Sequence, residues 1–168
     1  AAGGVMGALI LAKLMFGKSD LTMALNGAIA GLVSITAEPL APTPGLSMFI
    51  GLIGGVIVVF SIITLDRMKI DDPVGAISAH GTAGIWGLLA VTFTTGSLGS
   101  QLYGIIVIML WTFITSIIFW YIIKESFGLR VSEEEEDNGI DIVECGLDAY
   151  PEFTKSSMTG PSVYPSKK

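Results

Sequence analysis

The sequence predicts an all-α membrane protein with several spans, and three observations lead there. Of its 168 residues 51% are apolar and only 14% charged, and 21 are glycine, a mixture too hydrophobic and too glycine-rich for an ordinary soluble domain. Uncharged runs recur at about the 20 residues that a hydrocarbon core ~30 Å thick requires of a helix. The short connections between those runs also sort by charge, as the positive-inside bias demands.

Taken in order, residues 1–16 are already apolar at their start and carry no initiator Met, which predicts the end of a helix that begins upstream. A signal peptide would place basic residues before the apolar run, not after it. The chain is therefore expected to be a fragment. Residues 22–37 are apolar but short, fitting a span shielded inside a bundle. Residues 45–65 and 101–123 contain no charge and read as full spans, the latter continuing to about 129. Residues 74–95 form a further span in which His80 is the one ionisable side chain. Residues 1–130 are thus expected to form a transmembrane domain and residues 131–168 a polar tail, its last 15 or so residues disordered on composition.

Lys13 and Lys18 follow the first segment, Arg67 and Lys69 the third, and Lys124 and Arg130 the fifth, whereas 38–44 and 96–100 hold no Lys or Arg. This predicts that odd-numbered segments end in the cytoplasm and that the C-terminus lies there too. The net charge of −6 is concentrated at the end: residues 124–168 carry ten acidic against five basic residues. No basic stripe is present, which argues against nucleic-acid binding. The lone Cys145 has no intramolecular disulfide partner. Gly3 and Gly7, Gly27 and Gly31, and Gly51 and Gly55 are each four apart, a spacing that puts small residues on one helix face and predicts close helix packing.

Asp71, Asp72 and Pro73 read as the start of the fourth span, with carboxylates accepting orphan backbone N–H groups and proline at the first helical position. Eight residues beyond Asp72, about 12 Å along an α-helix, comes His80. An ionisable group at that depth must stay neutral, pair, or face a polar cavity, which makes it a functional candidate. On α-helical spacing Ala76, Ala83, Gly84 and Gly87 share its face and leave room for a narrow pore or a close helix contact. An imidazole can donate from one nitrogen, accept at the other and relay a proton near neutral pH. A metal site is not expected, because no second His, Cys or carboxylate stands at ligand spacing in the spans. No cofactor is implied, and no nucleophile–base pair or phosphate loop supports an enzyme.

The run DDPVGAISAHGTAGIWG (Asp71 to Gly87), preceded by LNGAIAGLVSIT (Leu25 to Thr36) and followed by GLRVSEEEE (Gly128 to Glu136), resembles the C-terminal half of the Amt/Mep/Rh ammonium transporters, Amt type, up to about Phe153. The resemblance implies a homotrimer of eleven-helix subunits in the cell membrane, each with a narrow hydrophobic pore that takes ammonium from outside and conducts it inward after deprotonation. The five segments would be the end of the seventh helix and the eighth to eleventh. His80 would be the second of two stacked pore histidines, and Asn26, Thr36 and Ala76 would approach the pore. The tail, with Gly128, Arg130, Gly139, Asp141, Gly146 and Tyr150, resembles the family's cytoplasmic regulatory tail, whose visitor in bacteria and archaea is a PII signal protein. Three positions depart from the common pattern: Gly75 where many members have Asp, Ser78 where Gly is frequent, and Cys145 where His is frequent. The alternatives to a transporter subunit are an ammonium sensor on the same fold and a non-functional truncated product.

Overall fold

The computed structural model describes residues 1–149, and the disorder expected of the last residues lies outside them. The described chain is helical, in the order α1 (Ala2–Phe16), α2 (Leu21–Val33), α3 (Pro44–Arg67), a π-helix (Ile77–Thr82), α4 (Ala83–Ala90), a 3₁₀ turn (Val91–Phe93), α5 (Leu98–Phe127), α6 (Glu133–Asn138) and α7 (Ile140–Cys145). It divides into two compact units, the first ending at Phe113. Among the described residues only α3 and α5 are long and apolar enough to cross a membrane by themselves, reaching roughly 36 and 45 Å at ~1.5 Å per residue.

Local chemistry explains the helix limits. Gly17 (φ 70) closes α1, its N–H bonding to Lys13 O, as a left-handed residue at a helix C-terminus does. The Asp20 carboxylate accepts from Met23 N at 2.9 Å and caps α2. Thr43 accepts from Leu46 N, and Pro44 opens α3. The second segment is shorter than the apolar run: α2 stops at Val33, and a turn follows in which Ser34 and Thr36 hydroxyls bond back to Ala30 O and Val33 O. Hydropathy alone does not register that competition between side-chain and helical hydrogen bonds.

In the first unit α1, α2 and α3 pack on one another. Their contact is made by backbone, at the glycines whose spacing predicts it and at Gly4. A Cβ at Gly4 would lie 2.9 Å from Gly31 Cα and overlap the Gly27 carbonyl oxygen, and Gly51 faces Gly31 and Gly4 at 3.6 Å. Gly3 and Gly7 press on the Met48 and Leu52 carbonyls of α3. Around this seam a small core of Ala8, Ala30, Val58, Val59, Ala79 and Ala83 is buried. Close backbone approach, with its dispersion contacts, does here what large side chains do in a soluble core.

A second crossing forms at Ser34, which is 1% exposed. Gly54 of α3 and Gly87 of α4 both abut it, and a Cβ at Gly87 would stand 3.0 Å from Ser34 Cα. The Trp86 indole donates to Ile50 O at 3.0 Å and its ring meets Phe93 edge-on, with centroids 5.9 Å apart. These contacts fix α4 against α2 and α3. Along α5, by contrast, Ile105 is the one buried residue, while Trp111, Phe113, Phe119 and Trp120 are exposed.

Candidate functional site

The fourth span differs from the plain α-helix that its hydropathy predicts. Pro73 does not start it. Residues 72–75 form a turn closed by Gly75 N to Asp72 O at 3.0 Å, Gly75 takes φ 70, and the helix begins at Ile77. Its first six residues, Ile77–Thr82, form a π-helix. A π turn bonds i to i+5, and such turns are rare and concentrate at functional positions. His80 sits inside it.

Asp72 caps this turn, as the capping reading expects, but with three bonds. One carboxylate oxygen accepts from Ile77 N at 2.9 Å, and the other accepts from Ser78 N at 3.1 Å and Ser78 Oγ at 2.9 Å. Partial burial pushes the Asp72 carboxyl upward, yet the N–H groups of Ile77 and Ser78 and the Ser78 hydroxyl outweigh it, so its pKa lies below the ordinary value. Asp72 is therefore a carboxylate at neutral pH. The Thr82 hydroxyl donates to Ser78 O inside the turn. Ala79 N bonds to Gly75 O at 2.7 Å.

The turn has two faces. Ser78 and Ala79 are buried at 0% and 1% exposure, whereas Ala76, Ile77, His80 and Gly81 are exposed. His80 thus stands outward from the bundle, next to residues with little side chain at 76 and 81. Ala76 shares this open face. Asn26 does not: it is buried at 6% exposure, its Nδ2 donating to Thr22 O at 3.2 Å, and its amide lies under Gly75. Thr36 lies in the turn after α2 and is exposed. Of the four residues singled out from sequence, two share the open face and one supports the turn beneath it.

At another edge of the unit the loops after α2 and after the 3₁₀ turn are joined by Glu38, whose carboxylate accepts from the hydroxyls of Thr94 and Thr95. Those bonds, Thr94's first, hold its pKa low. This joint had no signal in the sequence, because nothing in a lone glutamate 56 positions from its partner marks the pair.

The tail residues are placed individually. Gly128 (φ 81) ends α5, its N–H bonding to Lys124 O. Arg130 pairs with Glu136 at 3.1 Å, and Ser132 with Glu135 forms a capping box on α6. Gly139 (φ 94) separates α6 from α7 and Gly146 (φ 65) closes α7. Asp141 accepts from Ala149 N at 2.9 Å, which lowers its pKa. Cys145 is a free, exposed thiol. Tyr150 lies outside the described residues.

Comparison with known proteins matches residues 1–150 to the sequence model of the Ammonium Transporter Family. The ammonium transporter Amt2 of Archaeoglobus fulgidus is 39% identical over 175 residues, covering 91% of this chain and 37% of that protein. Amt1 of Haloferax mediterranei is 37% identical, covering 92% of this chain and 31% of that protein. A solved structure titled "Sensor Amt Protein" superposes with a TM-score of 0.79 at 32% identity, over 85% of this chain and 39% of that one. The chain spans about a third of the length of the curated relatives it matches.

Proposed function

This chain belongs to the ammonium transporter family, and on that premise we propose that it supplies the C-terminal helices of an ammonium-conducting membrane protein, with His80 as one of two stacked pore histidines. The observation that carries the proposal is the outward stance of His80 at a π turn, on an exposed face shared with Ala76, Ile77 and Gly81. The second histidine would come from helices in the part of its relatives' length that this chain does not span, packed against that face.

The chemistry follows from solvation. An ammonium ion entering hydrocarbon loses a hydration energy of tens of kcal/mol, whereas ammonia is neutral. A pore that strips one proton and passes the neutral molecule avoids that barrier. Imidazole suits the step because it accepts at one nitrogen while donating from the other, without a permanent buried charge. The apolar, exposed length of α5 faces lipid or a neighbouring copy in a homotrimer. The tail, from Gly128 through Tyr150, lies in the cytoplasm and meets a PII-type signal protein.

The test is His80→Ala in the full-length protein reconstituted in liposomes. Ammonium uptake per folded molecule is expected to fall, or its discrimination against potassium to change. Uptake and discrimination both at wild-type values would overturn the role of His80. The similarity to a structure titled as a sensor favours one second reading, in which ammonium binding alters a cytoplasmic partner. Saturable ammonium binding by wild-type protein without flux across the liposome would select it.

A further inference from the structure

The π-helix raises a mechanical question. Because it bonds i to i+5, its first five N–H groups have no acceptor within the helix, one more than in an α-helix. It also holds an extra residue that a return to α bonding would expel. Expulsion would swing the neighbouring positions by about 100° each relative to the helix beyond. His80 would then leave the open face.

Both ends of the turn are held. On the C-terminal side, Gly87 abuts Ser34 and Trp86 donates to Ile50 O. On the N-terminal side Asp72 takes the Ile77 and Ser78 N–H groups together with the Ser78 hydroxyl, and Gly75 O takes Ala79 N. The turn carrying Asp72 is itself seated on α2. Gly75 has φ 70, and a Cβ there would stand 2.9 Å from Asn26 Cγ. Asn26 is anchored by its Nδ2 to Thr22 O, while its buried Oδ1 has no hydrogen-bond partner among the described residues. A Cβ at Gly75 would lie 2.5 Å from that oxygen, so only a glycine fits against it.

We infer that Asp72 is a positioning residue for His80: seated on Asn26 through the Gly75 turn, it holds the π register that keeps the imidazole outward while Ser78 and Ala79 stay buried. The inference rests on the pore role proposed for His80. It also gives Ser78, a departure from the family's frequent glycine, a function as the hydroxyl that completes the clamp. A glycine there would leave Asp72 with the backbone bonds alone.

The experiment compares Asp72→Asn, Ser78→Ala, His80→Ala and Ser34→Ala in the full-length protein in liposomes, each normalised to folded protein measured by size exclusion. Asparagine turns an NH₂ group toward backbone and hydroxyl donors, so Asp72→Asn is expected to lower ammonium uptake by up to about a hundredfold, the scale of a functional group displaced by about 1 Å, and to shift the ammonium-over-potassium ratio. Ser78→Ala, losing one of three bonds, should shift the same ratio less. Ser34→Ala, a buried hydroxyl at the other crossing, should leave the ratio per folded molecule unchanged. Amide hydrogen exchange across 77–82 should speed up in Asp72→Asn, a readout independent of transport. Where Asp72→Asn is not recovered folded, Ser78→Ala decides by the same two readouts. A wild-type ratio or wild-type exchange in the deciding variant overturns the inference. If His80→Ala is altered while the deciding variant is not, only the positioning fails. If His80→Ala itself behaves as wild type, the pore reading fails and this inference with it.

Discussion

Gly4 and Gly55 meet backbone to backbone: a Cβ on Gly55 would stand 2.9 Å from the Cα of Gly4 and overlap its carbonyl oxygen. Neither backbone can yield, because Gly4 is also pressed against Gly27 and Gly31 from the other side. Gly55→Ala is therefore expected to force α1 and α3 apart and to destabilise the bundle by about 1–3 kcal/mol, the usual cost of overpacking. Gly45→Ala serves as the control, since a Cβ at Gly45 meets nothing within 4 Å. Thermal unfolding of the detergent-solubilised protein should separate the two. Equal melting temperatures would show that the seam is looser than described.

That seam also marks what was legible in the sequence. Gly27, Gly31, Gly51 and Gly55 announce themselves by their spacing, because helix geometry turns a four-residue interval into one face. Gly4 and Ser34 carry no such signal. A single small residue has no period, and its importance depends on which helix crosses it. The capping by Asp72 was readable from a carboxylate before a proline, but the start of the helix was not. Hydropathy does not distinguish a π turn from an α turn, and the left-handed Gly75 that delays the helix looks like any other glycine in a glycine-rich chain. Residue type marked His80 as a candidate, but its outward direction depends on that turn.

Trp86 offers a clean measure of how firmly α4 is held. Its indole N–H donates to Ile50 O, and its ring contacts Phe93. Trp86→Phe removes the donor while keeping an aromatic ring against Phe93. The expected loss is about 1 kcal/mol, the net worth of one hydrogen bond. Denaturant titration of the folded protein checks it, and a loss above roughly 3 kcal/mol would mean that the missing ring volume, and not the bond, dominates.

Glu38 should make the joint between the two loops sensitive to acid. Hydrogen bonds from Thr94 and then Thr95 lower its pKa relative to the unfolded chain, so the unfolded state binds its proton first as pH falls. The stabilising contribution is then fully present above the ordinary glutamate pKa. It is lost as pH drops through the lowered value. Hydrogen exchange at residues 34–43 is expected to accelerate over that acidic window in the wild type. Thr94→Val should weaken the joint at neutral pH and flatten the response. Exchange in this loop that follows pH identically in both proteins would rule the joint out as the cause.

The contact between Gly75 and Asn26 yields a double-mutant prediction. Gly75→Ala faces two obstacles, a left-handed φ of 70 that disfavours a side chain and the Asn26 amide in the space a Cβ would take. Together they should cost about 2–4 kcal/mol, strain and overpacking each adding roughly 1–2. Asn26→Ala alone loses the Nδ2 bond to Thr22 O and leaves a small void, costing about 1–2 kcal/mol. The double mutant removes the clash while keeping the φ strain, so its cost should fall short of the sum by about 1 kcal/mol, as expected for residues in direct contact. Unfolding free energies of the four proteins form the cycle. Strict additivity would mean that Asn26 does not seat the turn, and the support beneath Asp72 would have to come from elsewhere.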